Sequence, residues 1–289
     1  MREIKLDDVF EKKHDKGWED NMKIYSRDYS ILTQEELKKW EVLKEKEIVS
    51  SLGDDLVIRK NLYREYPVAV RHFISLFPNN HLDIMDLQQA THLKVLTEEF
   101  YRIINNPSTT ERFILNWISQ TKAYFIIASI MKSSYSFGHH DAYIFPEFQL
   151  GNSYQVDYLL VGKNSGGYEF VFVELEHPNK NITLANGHLG DAIRKGERQV
   201  IDWKYWLEAN YTTIYETFNK YKSPERNLPI EFMKYDSTRV HYAVVAGRRN
   251  DFNERTYQLK RQKKLENILL LHYDNLYDSA KAVIGELTY

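Results

Sequence analysis

Residues 155–178 have the sequence QVDYLLVGKNSGGYEFVFVELEHP, and this stretch decides the fold of the chain. β-Branched and aromatic residues dominate both of its halves, and Asn164-Ser165-Gly166-Gly167 between them is a turn signal. Pro178 ends the second half, because proline cannot donate the backbone hydrogen bond that a strand needs. The stretch therefore predicts a β-hairpin, with one strand over residues 155–161 and the other over residues 168–176.

Three carboxylates lie at one end of this hairpin. Side chains alternate along a strand, so Glu174 and Glu176 project from the same face, with Cα atoms about 6.6 Å apart. Asp157 lies between apolar neighbours on the partner strand and also points to a defined face. Carboxylates that converge at the end of a buried sheet repel one another unless positive charge lies among them. Such oxygen ligands suit Mg²⁺ or Mn²⁺, but solvated acids at a strand end have the same pattern, and both interpretations stay open.

The sequence around the hairpin predicts an α/β domain. The expected elements are strands at residues 142–148, 240–246 and 268–272, helices at about 190–209 and 253–267, and a short terminal helix. The strand at 240–246 is almost wholly apolar, which is typical of a strand buried on both faces. The tyrosine-rich tract 210–237 shows no pattern that predicts one element.

The first third of the chain has helix signals. Thr33 with Glu36, and Ser108 with Glu111, have the spacing of capping boxes, and the first of these helices is expected to end near Gly53. Apolar residues recur at helical spacing after the second capping box. We therefore divide the chain into a mostly α-helical N-terminal region, residues 1–107, and an α/β domain, residues 108–289.

Composition limits the class of protein. The 289 residues are 43% hydrophobic and carry a net charge of −2, so any contact with nucleic acid must come from a local basic patch. The chain has no cysteine, which excludes disulfides, thiolate catalysis and cysteine-bound zinc. Residues 1–20 lack the apolar core of a signal peptide, and no apolar run is long enough to span a bilayer. We expect a soluble, cytoplasmic protein.

The order of these parts resembles the PD-(D/E)XK nuclease superfamily, in which an acid on one hairpin strand precedes an acid-x-acid/lysine pattern and a helix with a glutamine. Here the parts are Asp157, Glu174-Leu175-Glu176 and Gln199. Several stretches resemble, more narrowly, the Shedu anti-phage defence nucleases. These stretches are residues 155–160, residues 172–178, Gln199 with Trp203 and Trp206, residues 244–248, and residues 273–276. The resemblance covers about residues 108–289.

The resemblance implies a restriction-endonuclease-like core in the C-terminal part. It further implies that Asp157 and Glu174 bind a divalent ion, Mg²⁺ or Mn²⁺, and that Gln199 assists by orienting water or a phosphate. No small-molecule cofactor is expected. Trp203 and Trp206 are expected to pack in the core, and Glu147 is a candidate outer ligand or an exposed acid.

Glu176 departs from the family pattern, because a lysine normally occupies this position. One interpretation is that Glu176 acts as a base or as a further metal ligand. A second is that the positive charge comes from Lys195, one helical turn before Gln199, or from Lys180. A third is that catalysis has been lost while the fold remains.

A basic stretch near the end of the chain is the candidate DNA contact, although a solvated helix face has the same appearance. Its residues are Arg248, Arg249, Arg255, Lys260 and Arg261. We expect a Mg²⁺-dependent endonuclease that nicks or cleaves DNA in bacterial anti-phage defence and assembles as a homo-oligomer, a dimer or a tetramer. The alternative is a catalytically silent nuclease fold that serves as a nucleic-acid-binding or regulatory scaffold. RNA also remains open as a substrate.

Overall fold

A five-stranded β-sheet lies at the centre of the computed structural model, which describes residues 22–46, 48–52, 56–59 and 66–289. The strands, in chain order, are β1 (Ile48–Leu52), β2 (Leu56–Arg59), β3 (Asp141–Leu150), β4 (Tyr154–Asn164), β5 (Gly167–Leu175), β6 (Val240–Val245) and β7 (Ile268–Leu271). β1 and β2 form a separate antiparallel pair, and the other five form the central sheet in the order β3-β4-β5-β6-β7. β3, β4 and β5 are antiparallel, and β6 and β7 continue the sheet in parallel with β5.

Helices cover both faces of the central sheet. The α-helices of the described residues are α1 (Gln34–Lys44), α2 (Pro67–Ile74), α3 (Ile84–Leu87), α4 (Ala90–Asn105), α5 (Glu111–Thr121), α6 (Phe125–Ser134), α7 (Asp191–Tyr221), α8 (Glu254–Leu265) and α9 (Tyr273–Val283). The predicted α/β class is thereby confirmed. Within the described part of the chain, no helix combines the length and the apolar character needed to cross a membrane.

The predicted hairpin is confirmed as β4 and β5. The two strands pair from Asn164 opposite Gly167 to Tyr158 opposite Val173. Gly167 has a φ of +113°, a left-handed value that glycine adopts without the steric cost of a Cβ atom. The Asn164 side chain accepts the N–H of Gly166, which stabilises the turn.

Two apolar layers lie on opposite faces of this sheet. Tyr158 and Val173 belong to the layer that packs against α4, α5, α6 and α9. Leu159 and Phe172, their neighbours in the chain, belong to the layer that packs against α7. Alternate residues of a strand point to opposite faces, so both faces of β4 and β5 are buried. Only the strand ends are left to carry polar side chains.

Helix α7 is longer than its sequence pattern predicts. It runs from Asp191 to Tyr221, with a kink at Asn210, and so takes up part of the tract that showed no pattern. Tyr211, Ile214 and Phe218 recur at helical spacing after the kink and are buried against the sheet. This burial outweighs the low helix propensity of Asn210.

The N-terminal helix is shorter than predicted. The Thr33–Glu36 capping box is confirmed, but α1 ends at Lys44 instead of near Gly53, which lies outside the described residues. The next described residues form β1, where Ile48 and Val49 have strong β-propensity. The second capping box is wrong, because the side chain of Thr110, and not that of Ser108, caps α5.

Apolar packing continues across residue 107. Phe100 on α4 stacks on Trp117 of α5 and lies against Tyr273 of α9, with ring centroids 6.0 and 6.5 Å apart. The end of α4 therefore supports the same face of the sheet as α5 and α9. The division into residues 1–107 and 108–289 stays a prediction.

Candidate functional site

β4 and β5 stop pairing where the carboxylates begin. The last pair of the ladder is Tyr158 opposite Val173, and in register the next would be Asp157 opposite Glu174. At that point Asp157 Oδ2 accepts the backbone N–H of Leu175 at 2.7 Å. The Asp157 carboxylate thus takes the place of a backbone carbonyl, and it is fixed at the open end of the hairpin.

The neighbouring strand β3 is irregular at the same level. Pro146 pairs with Tyr158 and Phe148 pairs with Val156, so Glu147 and Asp157 lie between two ladder pairs. Glu147 has a φ of +50°, which is uncommon for a residue other than glycine. Its carboxylate lies 3.5 Å from the guanidinium of Arg112 on α5. Glu147, a candidate outer ligand in the sequence, is thereby engaged with a cation on α5.

Glu174 and Glu176 are buried at the end of β5, with 4% and 3% of their surface exposed. The backbone N–H of Glu176 donates to the carbonyl of Val245 on β6 at 2.8 Å. The hydroxyl of the fully buried Tyr273 donates to the carbonyl of Glu176, also at 2.8 Å. These two bonds fix the backbone that carries both carboxylates.

Lys195 on α7 lies beside this strand end. Its ammonium donates to Glu176 Oε1 at 2.8 Å, while 56% of the lysine side chain remains exposed. Gly196 permits this approach, because a Cβ atom there would lie 2.6 Å from Val244 Cγ1 and 3.1 Å from Glu176 Cγ. α7 can therefore lie directly against the ends of β5 and β6. A lysine of the neighbouring helix thus lies beside position 176, where the family pattern has a lysine.

Burial dominates the electrostatics of these acids. Burial, together with the charges of Asp157 and Glu176, raises the pKa of Glu174 to about 10. Burial also raises the pKa of Asp157 to about 7, although the hydrogen bond from Leu175 opposes the shift. The pKa of Glu176 is raised by burial and held down by Lys195. Without a further cation, these acids therefore hold their protons to a higher pH than free carboxyl groups do.

Glu111 is a further acid of this site that the sequence analysis took for a capping residue. It lies in the first turn of α5, and its charge raises the pKa of Asp157, Glu174 and Glu176. The amide of Asn179, in the loop after β5, donates to carbonyls just before α5 and ties the two elements together. An acid in the first turn of a helix is common, so no sequence signal distinguished Glu111.

Gln199 lies one helical turn after Lys195 on α7, and its Oε1 atom is buried without a hydrogen-bond partner. A buried acceptor without a partner is costly, and a ligand could satisfy it. Lys180 is exposed in the loop after β5, and its charge lowers the pKa of Glu176. His177 also lies in this loop, where its Nδ1 accepts the N–H of Asn179.

The described residues include no group of three or more acidic or histidine side chains arranged to hold a metal ion. The expectation that Asp157, Glu174 and Glu176 together hold one ion stays a prediction, and the carboxylate of Glu176 is paired with Lys195. Asp157 and Glu174 remain as two hard oxygen donors whose raised pKa values a bound cation would lower. Such a pair fits Mg²⁺, which keeps several water ligands and needs only one or two protein carboxylates.

Two of the arginines expected to contact DNA bind the protein itself. The guanidinium of Arg248 donates to both carboxylate oxygens of Asp274, at 2.7 and 3.1 Å, and to the carbonyl of Ile104. Arg249 forms an ion pair with Asp278. Both aspartates lie on α9, which the sequence pattern did not place beside the end of β6.

The other three basic residues lie on α8. Arg255 donates to the side chain of Gln258, and Arg261 is exposed to solvent. Lys260 is half-buried over the ring of Phe252, and burial lowers the pKa of its ammonium. α8 therefore offers exposed cations, and their contact with DNA stays a prediction.

Residues 108–277 match the family described as "Shedu protein SduA, C-terminal". The match spans more than half of the 289 residues and runs from just before α5 into α9. It therefore contains Glu111, Asp157, Glu174 and Glu176, together with Lys195 and Gln199. The search of curated proteins gives no match.

Proposed function

The chain belongs to the Shedu family, and from that premise we propose that it is a metal-dependent DNA endonuclease that acts in anti-phage defence. The observation that supports this proposal best is that the half-buried Asp157 and the buried Glu174 lie together at the open end of a hairpin. We also propose that β3 to β7 with α5 and α7 form a PD-(D/E)XK core. In this core the first acid, Asp157, lies on β4 and the second, Glu174, lies on β5.

Asp157 and Glu174 would hold a divalent cation, Mg²⁺ or Mn²⁺. Their raised pKa values support this assignment, because an isolated carboxylate in such a place is unstable unless a proton or a cation neutralises it. A bound cation supplies Lewis-acid activation of water and neutralises charge on a phosphodiester. The hydrogen bond from Leu175 holds Asp157 in position at this site.

Lys195 would take the role of the lysine that usually follows the second acid. Glu176 Oε1 accepts a hydrogen bond from its ammonium and so fixes the end of a flexible side chain. More than half of the lysine side chain is exposed, so the ammonium can also reach a phosphate oxygen or the attacking water. Glu176 acts in this proposal as the positioning partner of Lys195, and the buried Oε1 of Gln199 would accept a hydrogen bond from water or substrate.

A catalytically silent scaffold is the second candidate function. The observation that favours it is Glu176 itself, which replaces a lysine and draws Lys195 into an ion pair. If that pair is closed in every state of the protein, the site lacks a free cation for the phosphate. Such a protein would bind nucleic acid without cutting it.

Nicking of a supercoiled plasmid in Mg²⁺ or Mn²⁺ separates the two candidates. The unmodified protein should convert the supercoiled form to open-circular or linear DNA, and Glu174→Ala should not. Glu216→Ala, an exposed acid on α7, is the matched control and should cut normally. The absence of cutting in both ions, with the DNA still retarded on a gel, would support the scaffold and overturn the proposal.

A further inference from the structure

His177 continues the line of β5 beyond the last residue of that strand. The backbone N–H of Gly247, just after β6, donates to the carbonyl of His177 at 3.2 Å. Val173 and Leu175 belong to the apolar layer that packs against α5. Alternation along an extended chain therefore turns the side chain of His177 to the α5 side of the sheet and that of Glu176 to the α7 side.

The charges that act on His177 agree with this placement. Burial and the charge of Lys180 lower the pKa of its imidazole, and the charge of Glu111, in the first turn of α5, raises it. The side chain of Asn179, two residues further on, donates to two carbonyls just before α5. The imidazole is therefore within electrostatic reach of the acid that α5 brings to the site.

The two ring nitrogens of His177 have different surroundings. Nδ1 accepts the backbone N–H of Asn179 at 3.0 Å, so this nitrogen carries no proton. The neutral imidazole then carries its proton on Nε2, which makes Nε2 a hydrogen-bond donor. Within the described ranges of the chain no residue accepts a hydrogen bond from Nε2, and the side chain is only half-buried. The loop after β5 thus presents an oriented N–H group that is available to a ligand.

A phosphodiester supplies the kind of acceptor that this group lacks. Its non-bridging oxygens carry the negative charge, and a hydrogen bond to a charged oxygen is stronger than one to a neutral oxygen. Donors that are already oriented toward the charge of the transition state require no reorganisation during the reaction. A cation held by Asp157 and Glu174 would bring the scissile phosphate to the end of β5. Lys195 borders that end on the α7 side, and His177 borders it on the α5 side.

We propose that His177 is a catalytic residue whose Nε2–H group donates a hydrogen bond to a non-bridging oxygen of the scissile phosphate. The inference rests on the proposed nuclease function, because it needs a phosphodiester at the carboxylates. It gives the site two donors of different kinds, a charged one on the α7 side and a neutral one on the α5 side. The competing interpretation is that the imidazole only holds the loop through its bond with Asn179.

Two substitutions separate the roles of the two ring nitrogens. His177→Asn places an oxygen near the position of Nδ1, where it can accept the N–H of Asn179, but it has no group at Nε2. His177→Gln places an amide N–H near the position of Nε2 but leaves Asn179 without its acceptor. The single-turnover rate of plasmid nicking in Mg²⁺ should fall at least about tenfold in His177→Asn and less than about threefold in His177→Gln. His188→Asn, at an exposed histidine of the same loop, is the matched control and should nick at the parent rate.

DNA affinity is the accompanying measurement, because a bond that strengthens in the transition state acts on the rate more than on binding. Gel retardation should show affinities within about threefold of the parent protein for all three variants. Nicking that His177→Asn keeps and His177→Gln loses would overturn the inference, because the ring would then only hold the loop. Equal nicking by all three variants would overturn it as well.

Nitrogen-15 NMR of the histidine side chains gives a readout that does not depend on cutting, and it decides the case in which both His177 variants lose activity. The free protein should carry the proton of His177 on Nε2, and a short DNA duplex in Ca²⁺ should move this resonance downfield. A proton on Nδ1, or an Nε2 signal that DNA leaves unchanged in a protein that nicks plasmid, would overturn the inference and leave the nuclease proposal standing. If the unmodified protein does not nick, the nuclease proposal fails, and the NMR shift still shows whether Nε2 meets a phosphate.

Discussion

Glu174→Gln should stabilise the metal-free protein, and the gain should increase with pH. Glutamine has nearly the shape of a protonated glutamic acid but never ionises. Burial and the charges of Asp157 and Glu176 raise the pKa of Glu174 to about 10, so the folded protein keeps this group protonated at neutral pH. In the unfolded chain the same group ionises at its usual pKa of about 4.3. The folded state must therefore take up a proton that glutamine does not require.

The expected gain in stability follows from the difference between the pH of the measurement and the unfolded-state pKa of Glu174. A group whose folded-state pKa is raised contributes full stability below its unfolded pKa and loses that contribution as pH rises toward the folded value. At pH 8 the cost of keeping Glu174 protonated is at most about 5 kcal/mol, from about 1.4 kcal/mol per pH unit above 4.3. Asp157 shares the electrostatic repulsion with Glu174 and relaxes when Glu174 is neutral, which lowers the cost. We therefore expect Glu174→Gln to raise the free energy of unfolding by about 2 kcal/mol at pH 8 and by under about 1 kcal/mol at pH 5.

Urea denaturation in EDTA at pH 5 and pH 8 measures this gain. Glu216→Gln, on the exposed side of α7, is the control and should show no difference between the two pH values. Addition of Mg²⁺ at pH 8 should then stabilise the unmodified protein but not Glu174→Gln, because only the former keeps the carboxylate. A gain that is equal at both pH values, or a loss of stability at pH 8, would refute the reasoning.

Three other substitutions test how the site is supported. Arg248→Ala should lower the free energy of unfolding by about 2 kcal/mol in thermal melts, because it leaves the largely buried carboxylate of Asp274 without its partner. The control Arg261→Ala, at an exposed position, should change it by less than about 0.5 kcal/mol. Equal effects of the two substitutions would contradict the structural role of Arg248. Tyr273→Phe should lower the free energy of unfolding by about 1 kcal/mol, because the hydrogen bond to the Glu176 carbonyl is lost. It should also reduce plasmid nicking more than Arg248→Ala does. Unchanged nicking would exclude a positioning role for Tyr273. Gly196→Ala should destabilise the protein by about 1–2 kcal/mol, because the added Cβ atom would press on Val244, and it should reduce nicking. A more stable variant would show that α7 does not lie this close to the ends of β5 and β6.

The sequence predicted the hairpin and the position of its acids because both depend on local signals. Alternating apolar residues, a turn with two glycines and a terminal proline determine where β4 and β5 run. Strand periodicity then brings the acids to one end. The buried strand β6 was also predicted, because residues 240–246 are almost wholly apolar, but its pairing with β5 was not.

The details of the site depend on contacts between distant residues, which a single sequence does not specify. Nothing near Asp157 indicates that its side chain replaces a backbone hydrogen bond to Leu175. The pairing of Arg248 with Asp274 arises because α9 lies beside the end of β6, whereas in the sequence Arg248 is only part of a basic run. Glu111 reaches the acids because Asn179 ties the loop after β5 to the start of α5.

Lys195 shows how far sequence reasoning extends. Its place one turn before Gln199 made it a candidate for the missing lysine, and the structure places its ammonium on Glu176. The close packing that makes this possible depends on the absence of a side chain at Gly196, whose significance appears only against Val244. The role of Lys195 in cutting DNA stays a prediction.

Titration of the protein with Mn²⁺, followed by the electron paramagnetic resonance signal of the free ion, tests the central claim most directly. If Asp157 and Glu174 hold the cation, the unmodified protein should bind about one Mn²⁺ per chain. Binding should release the protons that the two carboxyl groups hold in the metal-free protein. Asp157→Asn should bind at least about 100-fold more weakly, because it removes a charged ligand and not merely an outer-shell partner. Equal Mn²⁺ affinity in the two proteins would contradict the account.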